Sequence, residues 1–185
     1  MRFIDAEQAL LGFRSSSVHL TNLLDPVWNA TGVAVGNGPE GVLWVQGQLT
    51  DNSWLLHPDI KLTGGFAYVI WFKGERAGEF VFTLGGYHPD FHRNGYPVVP
   101  RLGLRWSIGS NITIKAGSYF ALTSEALMAG GDFEASAKLG PGWAELTFGA
   151  HGIVFFDPFS YDVKAYVRIR AGVTIDTWLF GVITI

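Results

Sequence analysis

The chain has 185 residues, of which 48% are hydrophobic and only 16% are charged. A chain of this length buries roughly two thirds of its unfolded surface, so its core needs no covalent cross-link. The absence of cysteine excludes disulfide scaffolds, thiolate metal sites and cysteine nucleophiles. A formal charge of -3 and a pI near 5.9 argue against an electrostatic surface for nucleic acid, so no nucleic-acid partner is expected.

Residues 1–40 are interpreted as an N-terminal extension of a single β domain that spans 1–185. The stretch "IDAEQALLGF" fits a short helix capped by Asp5. No signal peptide is visible, because polar residues interrupt the apolar run, and no window is long and apolar enough for a transmembrane helix. The sequence leaves the cellular compartment open and implies no cofactor.

Period-two alternation and regular turn residues predict strands along the rest of the chain. The expected fold class is all-β: a curved, largely antiparallel sheet, arranged as a meander-type sandwich or an open barrel, with minimal helix. One helical turn is expected in "TSEALMAGG", capped by Thr123 or Ser124. The predicted strands are 42–50, 60–72, 79–86, 111–122, 131–139, 143–158, 161–176 and 177–185.

The clearest pattern is a long hairpin near the C-terminus. In 161–176, Val, Ile and Ala alternate with charged and polar residues, and "DPFSYD" is typical of a connecting turn. One register that the periodicity permits places His151 opposite Arg168, Phe155 opposite Lys164 and Glu145 near Thr174. The charged residues of this hairpin are interpreted as a solvated face.

The stretch "GGYHPDFHRNGYPVVPRLG", 85–103, carries the strongest candidate site, although no catalytic motif is present in the chain. Pro89, Gly95 and Pro97 exclude a helix here, and three aromatic residues are expected to pin the loop to the core. A long ordered loop is a common location for binding groups. The candidate binding residues are Tyr87, His88, Asp90, Phe91, His92 and Arg101.

An alternative interpretation of the same loop is a metal site. His88, Asp90 and His92 are residue types that ligate divalent metals, and they lie close together in sequence. The other histidines, including His151, lie in unrelated segments, so no further ligand is evident. In the favoured interpretation the loop binds no metal. In the alternative, His88, Asp90 and His92 together ligate one metal ion.

Several stretches together resemble the domain of unknown function DUF6603. These are "LTGGFAYVIWF", "FVFTLGGYHPDF", "YPVVPRLGLRW", "SYFALTSEALMAGG" and "FFDPFSYDVKAYVRIRAGV", and the resemblance spans roughly residues 42–185. The family occurs in very large, repetitive, β-rich bacterial and fungal proteins. The resemblance implies a long meandering antiparallel sheet and a piece of something larger, and it supplies no catalytic residues.

Four functions remain open from the sequence, the least favoured of them an outer-membrane-type barrel with its aliphatic faces toward lipid. The favoured one is a noncatalytic structural or interaction module that joins copies of itself or neighbouring β domains through strand edges and an aromatic surface. The second is a curled sheet that binds an apolar ligand or lipid, with Ala144, Ala150, Ala165 and Ala171 leaving room. The third is a metal-assisted hydrolase that uses the 85–103 loop.

Overall fold

The computed structural model describes residues 30–38, 41–177 and 181–184, with side-chain surroundings over 41–174. No described residue is helical, and the described strands form one antiparallel sheet that is not closed into a barrel. The all-β, antiparallel fold class is therefore confirmed. The strands are β1 (Ala30–Gly38), β2 (Val42–Leu49), β3 (Trp54–Leu55), β4 (His57–Thr63), β5 (Gly65–Trp71), β6 (Phe80–Leu84), β7 (Leu102–Ile108), β8 (Ile112–Thr123), β9 (Ala126–Leu139), β10 (Gly142–Phe156), β11 (Phe159–Thr177) and β12 (Gly181–Thr184).

The C-terminal half of the sheet is a meander of four long strands, β8 to β11. Two-residue turns at 124–125, 140–141 and 157–158 join consecutive strands, which then pair along nearly their whole length. The alternating sequence explains these long strands, because each side chain lies on one of two faces with a period of two. Gly140 adopts a φ of +56°, a left-handed conformation that glycine favours in a two-residue hairpin turn.

Two short strands, β6 and β7, share a single position in the sheet. Both pair antiparallel with the same edge of β8, β6 with residues 120–123 and β7 with residues 112–118. The chain therefore leaves this position in the sheet at Gly85 and returns to it at Leu102. Residues 85–101, named here the crossing loop, make an excursion out of the sheet between these two points.

The two faces of the sheet differ in character, since directly paired residues of neighbouring strands share a face. The crossing loop covers one face, here the loop-side face, where Val69, Val81, Ala121 and Met128 are fully buried. Beyond the loop, this face carries the charged residues of β8 to β11. The opposite face carries aliphatic and aromatic residues and lies open among the described residues.

The predicted register of the long hairpin is wrong by four residues. His151 pairs with Lys164 rather than Arg168, Phe155 pairs with Ser160, and Glu145 pairs with Arg170. The strands continue to Phe156 and resume at Phe159, so the turn is tighter than "DPFSYD" indicated. A shift of four keeps every side chain on its predicted face, which is why alternation could not reveal the error.

Three further predictions need correction or lie outside the described residues. The expected helical turn in "TSEALMAGG" is a hairpin turn, in which Thr123 Oγ1 accepts hydrogen bonds from the backbone N–H groups of Glu125 and Ala126. The predicted strand 60–72 is two strands, β4 and β5, separated at Gly64 with a φ of +152°. The helix expected over 4–13 lies outside the described residues.

Candidate functional site

The crossing loop begins and ends at nearly the same point. A Cβ atom on Gly85 would lie 2.5 Å from the carbonyl oxygen of Ser118 and 2.7 Å from the backbone nitrogen of Leu102. Gly85 and Gly86 have φ values of +73° and +88°, which glycine adopts without steric cost. A compact surface loop with adjoining ends is an Ω-type loop, a class that frequently carries function.

Three aromatic side chains of the crossing loop pack together and against the sheet. Tyr87 lies 5.6 Å from Phe91 and 6.2 Å from Tyr96, measured between ring centroids. Tyr96 stacks on Trp71 of β5 at 5.8 Å, and its ring is buried. Burial raises the pKa of Tyr87 well above its usual range, and its hydroxyl donates to the Pro97 carbonyl at 2.9 Å. The prediction that aromatic residues pin this loop is confirmed.

Arg101 closes the loop where it returns to the sheet. Its Nη1 donates to the carbonyl oxygens of Gly85 and Tyr87 at 3.1 and 2.8 Å. Its guanidinium also lies 4.0 Å from the centroid of the Tyr119 ring, a cation–π contact. Burial lowers the pKa of Arg101, against the opposing influence of nearby Tyr119 and Asp132. The side chain therefore joins both ends of the loop to β8.

A cluster of three rings lies beneath the loop: His88, Tyr119 of β8 and His151 of β10. The centroid distances are 6.4 Å for His88 to Tyr119, 6.2 Å for His88 to His151 and 5.8 Å for Tyr119 to His151. Gly130 of β9 lies between the two strands and leaves room for the rings, because a Cβ there would lie 2.7 Å from the Tyr119 hydroxyl. This group is named the ring cluster.

The ring cluster contains buried polar atoms without a hydrogen-bond partner among the described residues. They are Nε2 of His88, the hydroxyl oxygen of Tyr119 and Nδ1 of His151. His88 Nδ1 accepts from the backbone N–H of Asp90 at 3.2 Å, which places the proton of a neutral His88 on Nε2. Burial lowers the pKa of His88, so the cluster favours the neutral ring, and it raises the pKa of Tyr119.

Asp132 of β9 supports the cluster from the sheet. Its Oδ1 lies 3.0 Å from His151 Nε2 and accepts a hydrogen bond from the Tyr166 hydroxyl at 2.8 Å. Gly149, between them on β10, provides the space: a Cβ there would lie 2.6 Å from Asp132 Oδ1. The carboxylate therefore orients one histidine of the cluster and one tyrosine of β11.

The loop tip is tied to the sheet by ion pairs at two places. Lys164 Nζ lies 2.6 Å from Asp90 Oδ2, which joins the loop to β11. Further along the loop, Arg93 Nη2 lies 3.2 Å from Glu79 Oε1, and Arg93 Nη1 lies 2.6 Å from Glu125 Oε1. Arg93 therefore joins the loop to the segment before β6 and to the turn between β8 and β9. Burial alone would raise the pKa of Glu79, but the guanidinium groups of Arg76 and Arg93 outweigh it and lower that pKa.

The alternative metal site receives no support from this arrangement. Asp90 pairs with Lys164, and His92 is exposed to solvent while His88 is buried. In the described part of the chain, no group of three or more His, Asp or Glu side chains is placed to hold a metal ion. His88 instead meets His151, which the sequence had placed in an unrelated segment.

The opposite surface of the sheet is the open apolar face. By the strand registers, no charged side chain projects from it between β5 and β11. A depression of about 450 Å³ on it is lined by the small residues Gly131, Ala150 and Ala165 and by larger ones such as Phe148 and Val167. Its exposed large residues include Phe66, Tyr68, Trp106, Phe120, Leu127, Leu146, Phe148, Tyr161, Val163, Val167 and Ile169.

Residues 32–185 match the family model described as a family of unknown function, DUF6603. The chain belongs to the DUF6603 family. Neither the curated proteins nor the solved structures contain a significant match. The family match confirms the resemblance seen in the sequence, and DUF6603 membership assigns no activity to any residue. Within the described residues there is also no helix of the kind that crosses a membrane.

The predicted binding residues of this DUF6603 chain lie at different depths. A pocket of about 330 Å³ in the crossing loop is lined by Tyr87, His88, Phe91 and Arg101, four of the six. Asp90 and His92 are exposed beside it. The sequence did not indicate that Tyr119, Asp132 and His151 belong to this site. Gly130 and Gly149, which leave space for these side chains on the neighbouring strands, were the only sequence feature that could have suggested it. A ligand role for the six residues stays a prediction.

Proposed function

We propose that this DUF6603 domain is a noncatalytic assembly module that packs its open apolar face against the same face of a second copy. The observation behind this proposal is the solvent exposure of that face: Phe148, Val167 and Ile169 are 44%, 72% and 76% exposed. A soluble protein rarely leaves a large contiguous apolar surface in water unless that surface makes contacts. A sheet with one apolar face is stable when a second layer covers it.

The size of the face fits an interface between two proteins. The four strands β8 to β11, about 4.8 Å apart and about 40 Å long, present on the order of 750 Å². A standard interface buries about 800 Å² on each partner. The meander alone is therefore large enough for a stable complex, and β5 to β7 extend the same surface.

The chemistry of the face favours an identical partner. The face lacks charged side chains from β5 to β11, so its complement is another uncharged surface of similar extent. A second copy supplies such a surface, and two sheets pack face to face at about 10 Å through interlocking apolar side chains. The loop-side face is unsuited to this contact, because the crossing loop and the ion pairs of β8 to β11 occupy it.

Binding of an apolar ligand is the second candidate, and one observation favours it. The depression of about 450 Å³ on the open apolar face is lined mainly by apolar atoms, as small-molecule sites usually are. Its floor consists of small side chains, because Gly131, Ala150 and Ala165 lie on adjacent strands. A bound acyl chain would occupy the same surface as a second copy, so the two functions compete.

Sedimentation velocity across a roughly hundredfold concentration range tests the proposal. Wild-type protein, purified without detergent, is expected to form a dimer or larger species, and Phe148→Asp is expected to lower that mass because it removes the face-to-face contact. Lys138→Asp on the opposite face of the neighbouring strand is the matched control and should leave the mass unchanged. A wild-type monomer at every concentration would contradict assembly, and a retained lipid-sized mass in native mass spectrometry would favour the ligand function.

A further inference from the structure

The outer edge of β11 has no strand partner over most of its length among the described residues. β11 runs over Phe159–Thr177, and its inner edge pairs with β10 from residue 159 to residue 173. On the outer edge, β12 pairs only with residues 174–177. An unpaired edge presents a row of backbone donors and acceptors, which is a template for another strand.

The backbone hydrogen bonds to β10 show which residues of β11 direct their N–H and C=O groups toward the outer edge. The backbone N–H of Thr174 donates to the carbonyl of Pro141 at 2.8 Å, so this even-numbered residue faces β10. The register between β10 and β11 runs without a shift, so the alternation continues along the strand. The N–H and C=O groups of the odd-numbered residues from 159 to 173 therefore point to the open edge.

We propose that β11 pairs antiparallel with β11 of a second copy, in a register centred on Ala165. The inference rests on the proposed function as an assembly module, but it uses the strand edge rather than the open apolar face. The pairing joins two sheets edge to edge around a twofold axis. Residues 159 to 171 of each copy lie within the ladder, in which about fourteen backbone hydrogen bonds form.

Charge complementarity selects this register. With Ala165 opposite itself, Asp162 lies opposite Arg168 of the second copy, and this happens twice by symmetry. Arg168 is available for such a contact, because its neighbour on β10 is Thr147 and no ion pair to it occurs within the described residues. Asp162 already lies 3.2 Å from Lys164 of its own strand, so it would be shared between the two cations. Opposite charges that face each other across an antiparallel pair stabilise it.

Neighbouring registers are less favourable. Centring the pair on Tyr166 would place Lys164 opposite Arg168, and centring it on Lys164 would place that ammonium opposite itself. Like charges directly opposite destabilise a sheet. Centring on Val163 would keep opposite charges together but would pair only residues 159 to 167, which is a shorter ladder.

The apolar side of β11 is compatible with the same register. Val163 lies opposite Val167 of the second copy, and Tyr161 lies opposite Ile169, so branched and aromatic side chains meet across the junction. All four are more than two-thirds exposed in the single chain, at 67%, 72%, 71% and 76%. The junction would therefore make one continuous apolar face from two copies.

Disulfide trapping tests the register directly, because the chain contains no cysteine. Ala165→Cys is expected to form an intermolecular disulfide under mild oxidation, since opposite Cα atoms of a hydrogen-bonded pair lie about 5.5 Å apart. Ala171→Cys is the matched control, because its two copies would lie roughly 40 Å apart in this register. Equal yields at both positions, or no disulfide at position 165, would overturn the inference.

A charge exchange provides the second test. Asp162→Arg in the Ala165→Cys background should lower the disulfide yield severalfold, because two arginines then face each other in each half of the junction. Adding Arg168→Asp should restore the yield, and an absence of rescue would contradict the register. Adding Phe148→Asp separates the two surfaces: if it abolishes face-to-face association and leaves the disulfide, the edge contact stands independently of the face contact. If wild type does not associate through its face but the position 165 disulfide forms, only the face proposal fails.

Discussion

The rings of His88 and His151 lie 6.2 Å apart between centroids, at an interplanar angle of 85°. One histidine belongs to the crossing loop and the other to β10, so their contact places the loop directly on the meander. Tyr119 completes the cluster from β8, stacked on His151 with an interplanar angle of 11°. The loop is thus a structural cover for the sheet, and its His88 is only 2% exposed.

We expect acid to weaken the folded state through His88. Burial lowers the pKa of His88 below 6.5 in the folded chain, so the unfolded chain takes up a proton first as the pH falls. The contribution of neutral His88 to the free energy of unfolding is fully present above the pKa of His88 in the unfolded chain, about 6.5. It declines as the pH drops from there through the lower pKa of His88 in the folded chain. The urea midpoint should therefore be lower at about pH 5.5 than at about pH 7.5.

His88→Asn is the control for that measurement. The amide oxygen can accept the Asp90 backbone N–H as Nδ1 does, but the side chain does not titrate. The difference between the two midpoints should shrink in this variant. An undiminished difference would assign the pH dependence to other groups.

Gly130→Ala should destabilise the protein by about 1–3 kcal/mol through overpacking. The new Cβ would lie 2.7 Å from the Tyr119 ring and 2.8 Å from the carbonyl oxygen of Ala150, and the backbone contact cannot easily move away. Gly117→Ala on the adjacent strand is the matched control, because its nearest neighbours would lie at 3.8 Å. Denaturant unfolding of both variants measures the difference, and equal midpoints would contradict the tight packing around Gly130.

Tyr96→Ala should cost about 3 kcal/mol, as expected for removal of a buried aromatic ring. Tyr96 is 7% exposed and stacks on Trp71, so the substitution opens a cavity between loop and sheet. Phe72→Ala removes an aromatic ring that is 57% exposed and should cost much less. Urea unfolding followed by tryptophan fluorescence compares the two. A similar cost for both would show that the loop contributes little to the core.

The strands were predictable from the sequence where alternation was long. Residues 161–176 revealed β11, because Val, Ile and Ala alternate with polar residues over the whole stretch. Register was less accessible, since a turn of two residues at 157–158 and a longer turn both preserve the alternation. β7 was missed although its apolar residues alternate regularly from Leu102 to Ile108, because the alternation spans only seven residues and directly follows a loop that contains several prolines.

The candidate site was predictable only from the loop side. Tyr87, Phe91 and Tyr96 indicated a loop fixed to the core, and they do pack on it. His151 could not be placed near His88, because that contact depends on β8, β9 and β10 lying side by side with a glycine in the middle. Long-range contacts of this kind follow from sheet order, which a single sequence does not specify.

Concentration-dependent amide hydrogen exchange tests most directly the claim that this domain assembles through surfaces left open in the single chain. β9 has partners on both sides and serves as the internal standard. As protein concentration rises, exchange in peptides covering residues 159–173 is expected to slow toward that of β9, because a second copy covers the open edge. If the outward-pointing, odd-numbered amides of this segment exchange equally fast at every concentration, with β9 protected throughout, assembly through β11 is contradicted.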